Sequence, residues 1–218
     1  MNDVDAERNE WDRQAADDPR RAVWAEDPAS WDADIDWALA RIGPELDRRP
    51  RVTGRVLDLG CGMGRLAVPF AAANPDTTVV GVDVSWRMLD AAAVAARSAA
   101  VGNVELWLGD GRRLPDQVGQ VDAAWSMVTF QHIPAEAVYS YIEQVADRLV
   151  DGGPFVAQYV EGTTDQFLAR DLRTIPDVLT VCAGAGLEVV GVESDKRSDD
   201  RYPTWRWATC IRRSRAWA

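Results

Sequence analysis

A chain of 218 residues is long enough for one domain with a buried core plus a modest appendage. Its formal charge of -11 argues against nucleic acid as the partner, because that binding rests on Lys and Arg neutralising phosphates. No apolar run reaches the roughly 18 residues needed to cross a membrane, and the acidic opening from Met1 to Glu7 lacks the apolar core of a secretion signal, so the cytoplasm is the expected location.

Residues 1–50 read as a polar, helical cap segment, with breaks expected at Pro19, Pro28 and Pro44. Ser30 is placed to cap a helix in which Trp31, Ile35, Ala38, Leu39 and Ile42 recur at helical spacing. Four of the ten tryptophans, Trp11, Trp24, Trp31 and Trp37, fall in this segment. They either staple it to the core or line an aromatic substrate pocket or lid, with Trp24 a candidate substrate contact. The basic runs Arg48–Arg51 and Arg212–Arg215 sit at element boundaries and read as solvated ends.

From residue 51 onward strand and helix patterns alternate. Strands are expected at 56–59, 78–82, 104–108, 121–128, 154–160, 187–192 and 205–211. Helices are expected at 66–73, from a Ser85 cap to about Ala100, at 135–149 and at 175–183. Strands separated by crossover helices imply an α/β fold with a doubly wound, seven-stranded, mostly parallel sheet. Residues 51–218 are therefore read as one domain behind the N-terminal cap. Three widely separated cysteines, Cys61, Cys182 and Cys210, form neither a disulfide framework nor a zinc pattern.

The chemistry concentrates where the first strand runs into Asp58-Leu-Gly60-Cys61-Gly62-Met-Gly64. A glycine-rich turn between a buried strand and a helix N-terminus lets backbone amides lie against a ligand. Dinucleotide folds place the third glycine three residues after the second, whereas here it follows by two, which disfavours NAD(P).

This D-x-G-C-G-x-G run resembles the first motif of the class I methyltransferases that depend on S-adenosylmethionine (SAM). The likeness covers roughly residues 52–160. Ser126–Pro134 resembles the fourth-strand segment of bacterial small-molecule members, and Leu149–Gly153 resembles their glycine turn, with Asp151 where proline is common. The resemblance implies a Rossmann-like fold whose last strand runs antiparallel, with SAM as cofactor and S-adenosylhomocysteine as product. Gly60, Cys61, Gly62 and Gly64 would bring amides to the carboxylate of the methionine end, and Asp58 would take its ammonium. Asp83, closing the second strand, would accept from the ribose hydroxyls. Val84 and Met88 would flank the adenine, Asp110 between Gly109 and Gly111 would accept from its amino group, and Met127 would complete the cofactor set.

On the acceptor side stands His132, the sole histidine. Its ordinary pKa near 6.5 suits a general base; the competing reading is that it orients the loop or contacts the cofactor. Gln131, Tyr159 and Glu161 lie near the pocket ends of strands four and five and are candidate substrate contacts. The Asn/Asp-Pro-Pro-Tyr/Phe signature of DNA amino-methylation is replaced here by Thr129-Phe-Gln-His132, no cysteine follows a proline, and no metal-binding cluster is found. The expected function is methyl transfer to oxygen or nitrogen of a small-molecule metabolite, by a monomer or homodimer with no membrane partner. The alternatives are a non-catalytic SAM-fold binding or regulatory protein, or a methyltransferase acting on protein or nucleic acid. Residues 161–201 carry no motif, and Ser194–Arg201 reads as a solvated loop.

Overall fold

The computed structural model describes residues 3–17, 19, 31–163, 166–167, 173–194 and 204–214. The helices are α1 (Asp3–Asp17), α2 (Trp31–Asp47), α3 (Ala67–Ala73), α4 (Trp86–Ser98), α5 (Ala135–Arg148) and α6 (Val178–Gly184). The strands are β1 (Arg55–Leu59), β2 (Thr78–Asp83), β3 (Val104–Leu108), β4 (Ala123–Ser126), β5 (Pro154–Val160), β6 (Gln166–Phe167), β7 (Arg173–Thr174), β8 (Leu187–Ser194) and β9 (Trp205–Arg212).

Seven strands form one sheet in the order β3-β2-β1-β4-β5-β9-β8, with β6 and β7 as a separate antiparallel pair. The first five run parallel, and β9 is antiparallel to both β5 and β8. The strand order reverses between β1 and β4, so the crevice beyond their carboxyl ends is where a ligand binds in open α/β sheets. The central strands are apolar almost throughout because both sheet faces are covered. Every residue of β5 is buried, as are four of five in β1.

One face packs α2 and α3 on the sheet through Ala38, Ile42, Leu46 and Phe70 against Val56, Trp125 and Trp207. The other buries Val138, Ile142 and Val145 of α5 and Cys182 of α6 against Leu57, Val80 and Phe155. Ser85 caps α4 as its sequence implies: its hydroxyl accepts the Met88 N–H at 3.2 Å. Among the described residues, no helix is long and apolar enough to cross a membrane and no group of metal-binding side chains forms.

The expected elements are present, with local corrections. Pro44 does not break α2, which continues to Asp47. A proline inside a helix costs about 3 kcal/mol. Here Ile42 before it and Leu46 after it are both wholly buried, and their contact with the sheet holds the last turn in place. The fourth strand is shorter than its apolar run because Val128 turns out of it with φ 56°. The last crossover helix starts at Val178, since Ile175 bridges Glu161 and Asp177 adopts φ 53°. Arg49 is no solvated end: it is buried and donates to the Leu46 carbonyl (2.6 Å) and Thr77 Oγ1 (3.0 Å). The Ser30 cap and Trp24 lie outside the described residues.

Candidate functional site

The crevice at the switch point is built from the turn after β1, the tips of β2 and β3, and the loop after β4. Leu59 ends β1, and the next two amides, of Gly60 and Cys61, both donate to the Val82 carbonyl, at 2.8 and 3.1 Å. That ties the turn to β2 instead of letting it continue as strand. Gly60 has φ 78°, and a Cβ there would lie 2.1 Å from Thr129 Oγ1. Gly62 differs: with φ 51°, it has no atom within 4 Å of the position a Cβ would take. Its backbone therefore faces open space, and its N–H donates to Asp83 Oδ2 at 2.8 Å. Gly64 serves packing, since a Cβ would meet Val68 and Ala92 at 3.0 and 3.1 Å.

Asp83 closes β2 and accepts a second backbone bond, from the Ser85 N–H to Oδ1 at 2.9 Å. Burial pushes its pKa up, and the amides of Ser85, Gly62 and Val84 pull it back. Each carboxylate oxygen retains a lone pair for a ligand hydroxyl.

The cleft measures about 740 Å³ including its open mouth. Its floor is Leu59, Gly60 and Gly62, and one wall is Val82, Asp83, Val84 and Met88, with Gly111 from the β3 loop. The opposite wall is Val128, Thr129, His132 and Ile133, backed by Tyr141 of α5, and Trp11 of α1 closes the rim. Positive φ is rare for a β-branched residue and marks a conformation held by its surroundings. Val128 is held in it by Gln158, whose Oε1 accepts its N–H at 3.1 Å. His132 ends the short helical turn Phe130–His132, its N–H donating to the Thr129 carbonyl at 3.0 Å.

Beneath the glycine turn lies a buried charge cluster of Asp58, Arg65 and Asp34. Burial, and next the Asp83 charge, push the Asp58 pKa up to about 8, with Arg65 opposing them. Burial lowers Arg65, while Asp34 and Asp58 raise it. A cation arriving near Asp58 would favour its ionised form.

The expected cofactor residues separate into two groups. Gly60, Gly62, Asp83, Val84, Met88 and Gly111 line the cleft, as does His132. Asp58, Cys61 and Met127 are buried next to it without lining it. Asp110 is exposed and caps its own loop, Oδ1 accepting the Arg112 and Arg113 amides at 2.8 and 2.6 Å, with Gly109 before it joined to the Asp83 carbonyl at 2.8 Å. The substrate candidates diverge more. Gln131 is wholly buried beside His132, and among the described residues neither polar atom of its amide has a hydrogen-bond partner. Tyr159 belongs to the main core, where burial and the Glu161 charge push its pKa up to about 12. Glu161 is exposed and held by Arg206, whose Nε and Nη2 donate at 2.9 and 2.7 Å. The apolar drive that fills β5 turns Tyr159 inward, and an ion pair across β5 and β9 turns Glu161 away.

Thr129, Val128, Ile133 and Tyr141 escaped the sequence reading, as did Asp34. For Asp34 a signal existed: an acid on the apolar face of α2, one turn before Ala38.

Comparison with known proteins places these features in a family context. Residues 56–153 match the family model described as a methyltransferase domain. Nocamycin O-methyltransferase of Saccharothrix syringae is 38% identical over 114 residues, covering 50% of this chain and 40% of that protein. The chain spans under half the length of these curated relatives, which include trans-aconitate 2-methyltransferase of Streptomyces coelicolor. Among solved structures, magnesium protoporphyrin IX methyltransferase from Synechocystis PCC 6803 with bound S-adenosylhomocysteine superposes with a TM-score of 0.69 at 18% identity, covering 97% of this chain and 100% of that one. The [4+2]-cyclase SpnF superposes with a TM-score of 0.67 at 19% identity, covering 82% and 80%. These structures share the fold.

Proposed function

We propose that this chain, which resembles the class I methyltransferases and matches their domain over residues 56–153, binds SAM in the β1–β2–β4 crevice and methylates an oxygen or nitrogen of a small metabolite. The observation that carries this reading is the Gly62–Asp83 pair. An open backbone cradle is bonded directly to a carboxylate at the tip of β2.

The residues present fit such a donor. Gly60 and Gly62 offer backbone approach to its methionine end, with Asp58 below as the acid nearest an ammonium. Asp83 has lone pairs left for vicinal hydroxyls. Val84 and Met88 supply an apolar slot for a flat base, Met88 with a polarizable sulfur. Gly111 closes the base end of that slot, and Gly109, Cys61, Gly64 and Met127 hold the loops in shape. Asp110 is retained as a base-end contact through the loop it caps.

When bound, SAM supplies an electrophilic methyl: a bond from methyl carbon to acceptor oxygen or nitrogen forms as the sulfonium S–C bond breaks, its electron pair returning to sulfur. The chain's share is positioning, water exclusion and one proton. Holding the partners in line is worth about 7–11 kcal/mol in well-oriented systems. An imidazole nitrogen of His132 takes the acceptor's proton where there is one to lose, a contribution of roughly 10²- to 10⁴-fold. Gln131, wholly buried and not lining the cleft, does not reach the substrate. Tyr159 and Glu161 drop out of the substrate set because packing and an ion pair keep them from the cleft. Residues 1–50 act as the cap of this domain, and the protein works in the cytoplasm as a monomer or homodimer.

Incubation with methyl-labelled SAM and a panel of hydroxyl and amine metabolites, alongside protein and nucleic acid, tests the reading. Label should reach small molecules only. Likeness to a cyclase gives the alternative physical standing, because this fold does not by itself dictate transfer. Tight SAM binding with no labelled product across the panel would favour the non-catalytic alternative.

A further inference from the structure

Helix α1 is too polar to be held by burial: of its described side chains only Ala15 is buried. It is fastened instead at three points around the cleft. The Ser85 hydroxyl, at the head of α4, donates to Asp12 Oδ1 at 2.5 Å. Arg8 Nη2 reaches the Gly109 carbonyl, beyond β3, at 3.5 Å. The Trp11 indole meets the His132 imidazole edge to face, with ring centroids 5.1 Å apart and planes at 81°. The three anchors stand at the carboxyl ends of β2, β3 and β4. One side of the cleft mouth thus comes from outside the methyltransferase segment altogether, and the side chain it contributes is Trp11.

The charge of the cleft narrows what can sit against that indole. Among the described residues no lysine or arginine lines it and Asp83 is its one acid, and the chain as a whole carries -11. Arg8, on the same helix as Trp11, is turned to the Gly109 carbonyl. A carboxylate-rich acceptor would lose its hydration without finding a counter-charge, inside a repelling field. A protonated amine has no electron pair with which to attack. An uncharged, unsaturated ring instead finds the indole on one side and Ile133 and Tyr141 beyond it.

We propose that Trp11 is an acceptor-specificity residue. With His132 it forms an aromatic corner at the cleft mouth, against which an uncharged molecule bearing a hydroxyl on a flat, unsaturated ring packs. The proposal rests on the cleft being the donor site, as argued above.

Calorimetric titration of the full chain saturated with S-adenosylhomocysteine provides the test, with 2-naphthol, citrate and benzylamine as probes. We expect 2-naphthol to bind, and citrate and benzylamine to bind at least tenfold more weakly. Trp11→Ala should weaken 2-naphthol at least fivefold and S-adenosylhomocysteine by less than threefold, while Trp11→Phe stays within twofold of wild type. Trp11→Leu, which keeps apolar bulk without the ring, should behave like Trp11→Ala. Absence of 2-naphthol binding, preference for citrate or benzylamine, or equal losses for both ligands in Trp11→Ala overturns the proposal. If wild type fails to bind S-adenosylhomocysteine, the donor-site reading falls instead, and 2-naphthol titrated into the protein alone still decides the role of Trp11.

Discussion

Replacing Gly60 with alanine is expected to cost about 2–5 kcal/mol of folding stability and to abolish measurable binding of S-adenosylhomocysteine. Two effects add. An L-residue at φ 78° stands in the left-handed region, at about 1–2 kcal/mol. The new methyl would also lie 2.1, 2.4 and 2.8 Å from three atoms of Thr129. That side chain has no free retreat, because its hydroxyl lies 3.1–3.4 Å from the carbonyls of Met127, Leu59 and Gly60. Overpacking of this kind costs typically 1–3 kcal/mol. Urea unfolding and ligand titration measure both losses. Thr129→Gly placed in the alanine background removes the clash and leaves the backbone strain, so it should restore part of the stability. A Gly60→Ala protein within 0.5 kcal/mol of wild type, against the about 1–2 kcal/mol of strain alone, would show that the turn is not built this way.

The second large effect is expected at His132. Alanine there should lower turnover at least tenfold while leaving SAM affinity within a few-fold. The backbone of this residue is set by its N–H donating to the Thr129 carbonyl, and its ring is held at the cleft by the edge-to-face contact with Trp11. If it takes a proton, added imidazole should recover part of the lost rate in His132→Ala, which a purely structural role would not allow. Unchanged turnover in this variant removes the histidine from the reaction.

The glycine-turn side of the cleft was legible because its residues are fixed by local rules. A strand end, three glycines at set spacing and an acid at the next strand end follow from hydrogen bonding and steric needs within a single β-α-β unit. The seven strands were legible for a related reason: parallel strands covered on both faces leave long apolar runs such as β5. What stayed hidden depends on packing between distant segments. The strands β6 and β7 have two residues each, too few for any periodicity. Trp11 looked like any other cap tryptophan until α1 was fastened to Ser85, Gly109 and the His132 ring. Tyr159 and Glu161 sat at the right strand end, but which way each turned was decided by the core and by Arg206. Pro44 carried a clear breaking signal that the burial of Ile42 and Leu46 overrode.

The most direct test of the account is the choice of ligand at the glycine turn. Titration of the wild-type chain with SAM and, separately, with NAD, followed by calorimetry, puts the G-x-G-x-G spacing and the Gly62–Asp83 cradle to a single measurement. The account predicts that SAM binds, that NAD does not, and that Asp83→Ala weakens SAM by about 1–3 kcal/mol, the worth of hydrogen bonds to a charged group. Binding of NAD without SAM, or an Asp83→Ala protein that holds SAM as tightly as wild type, would contradict it.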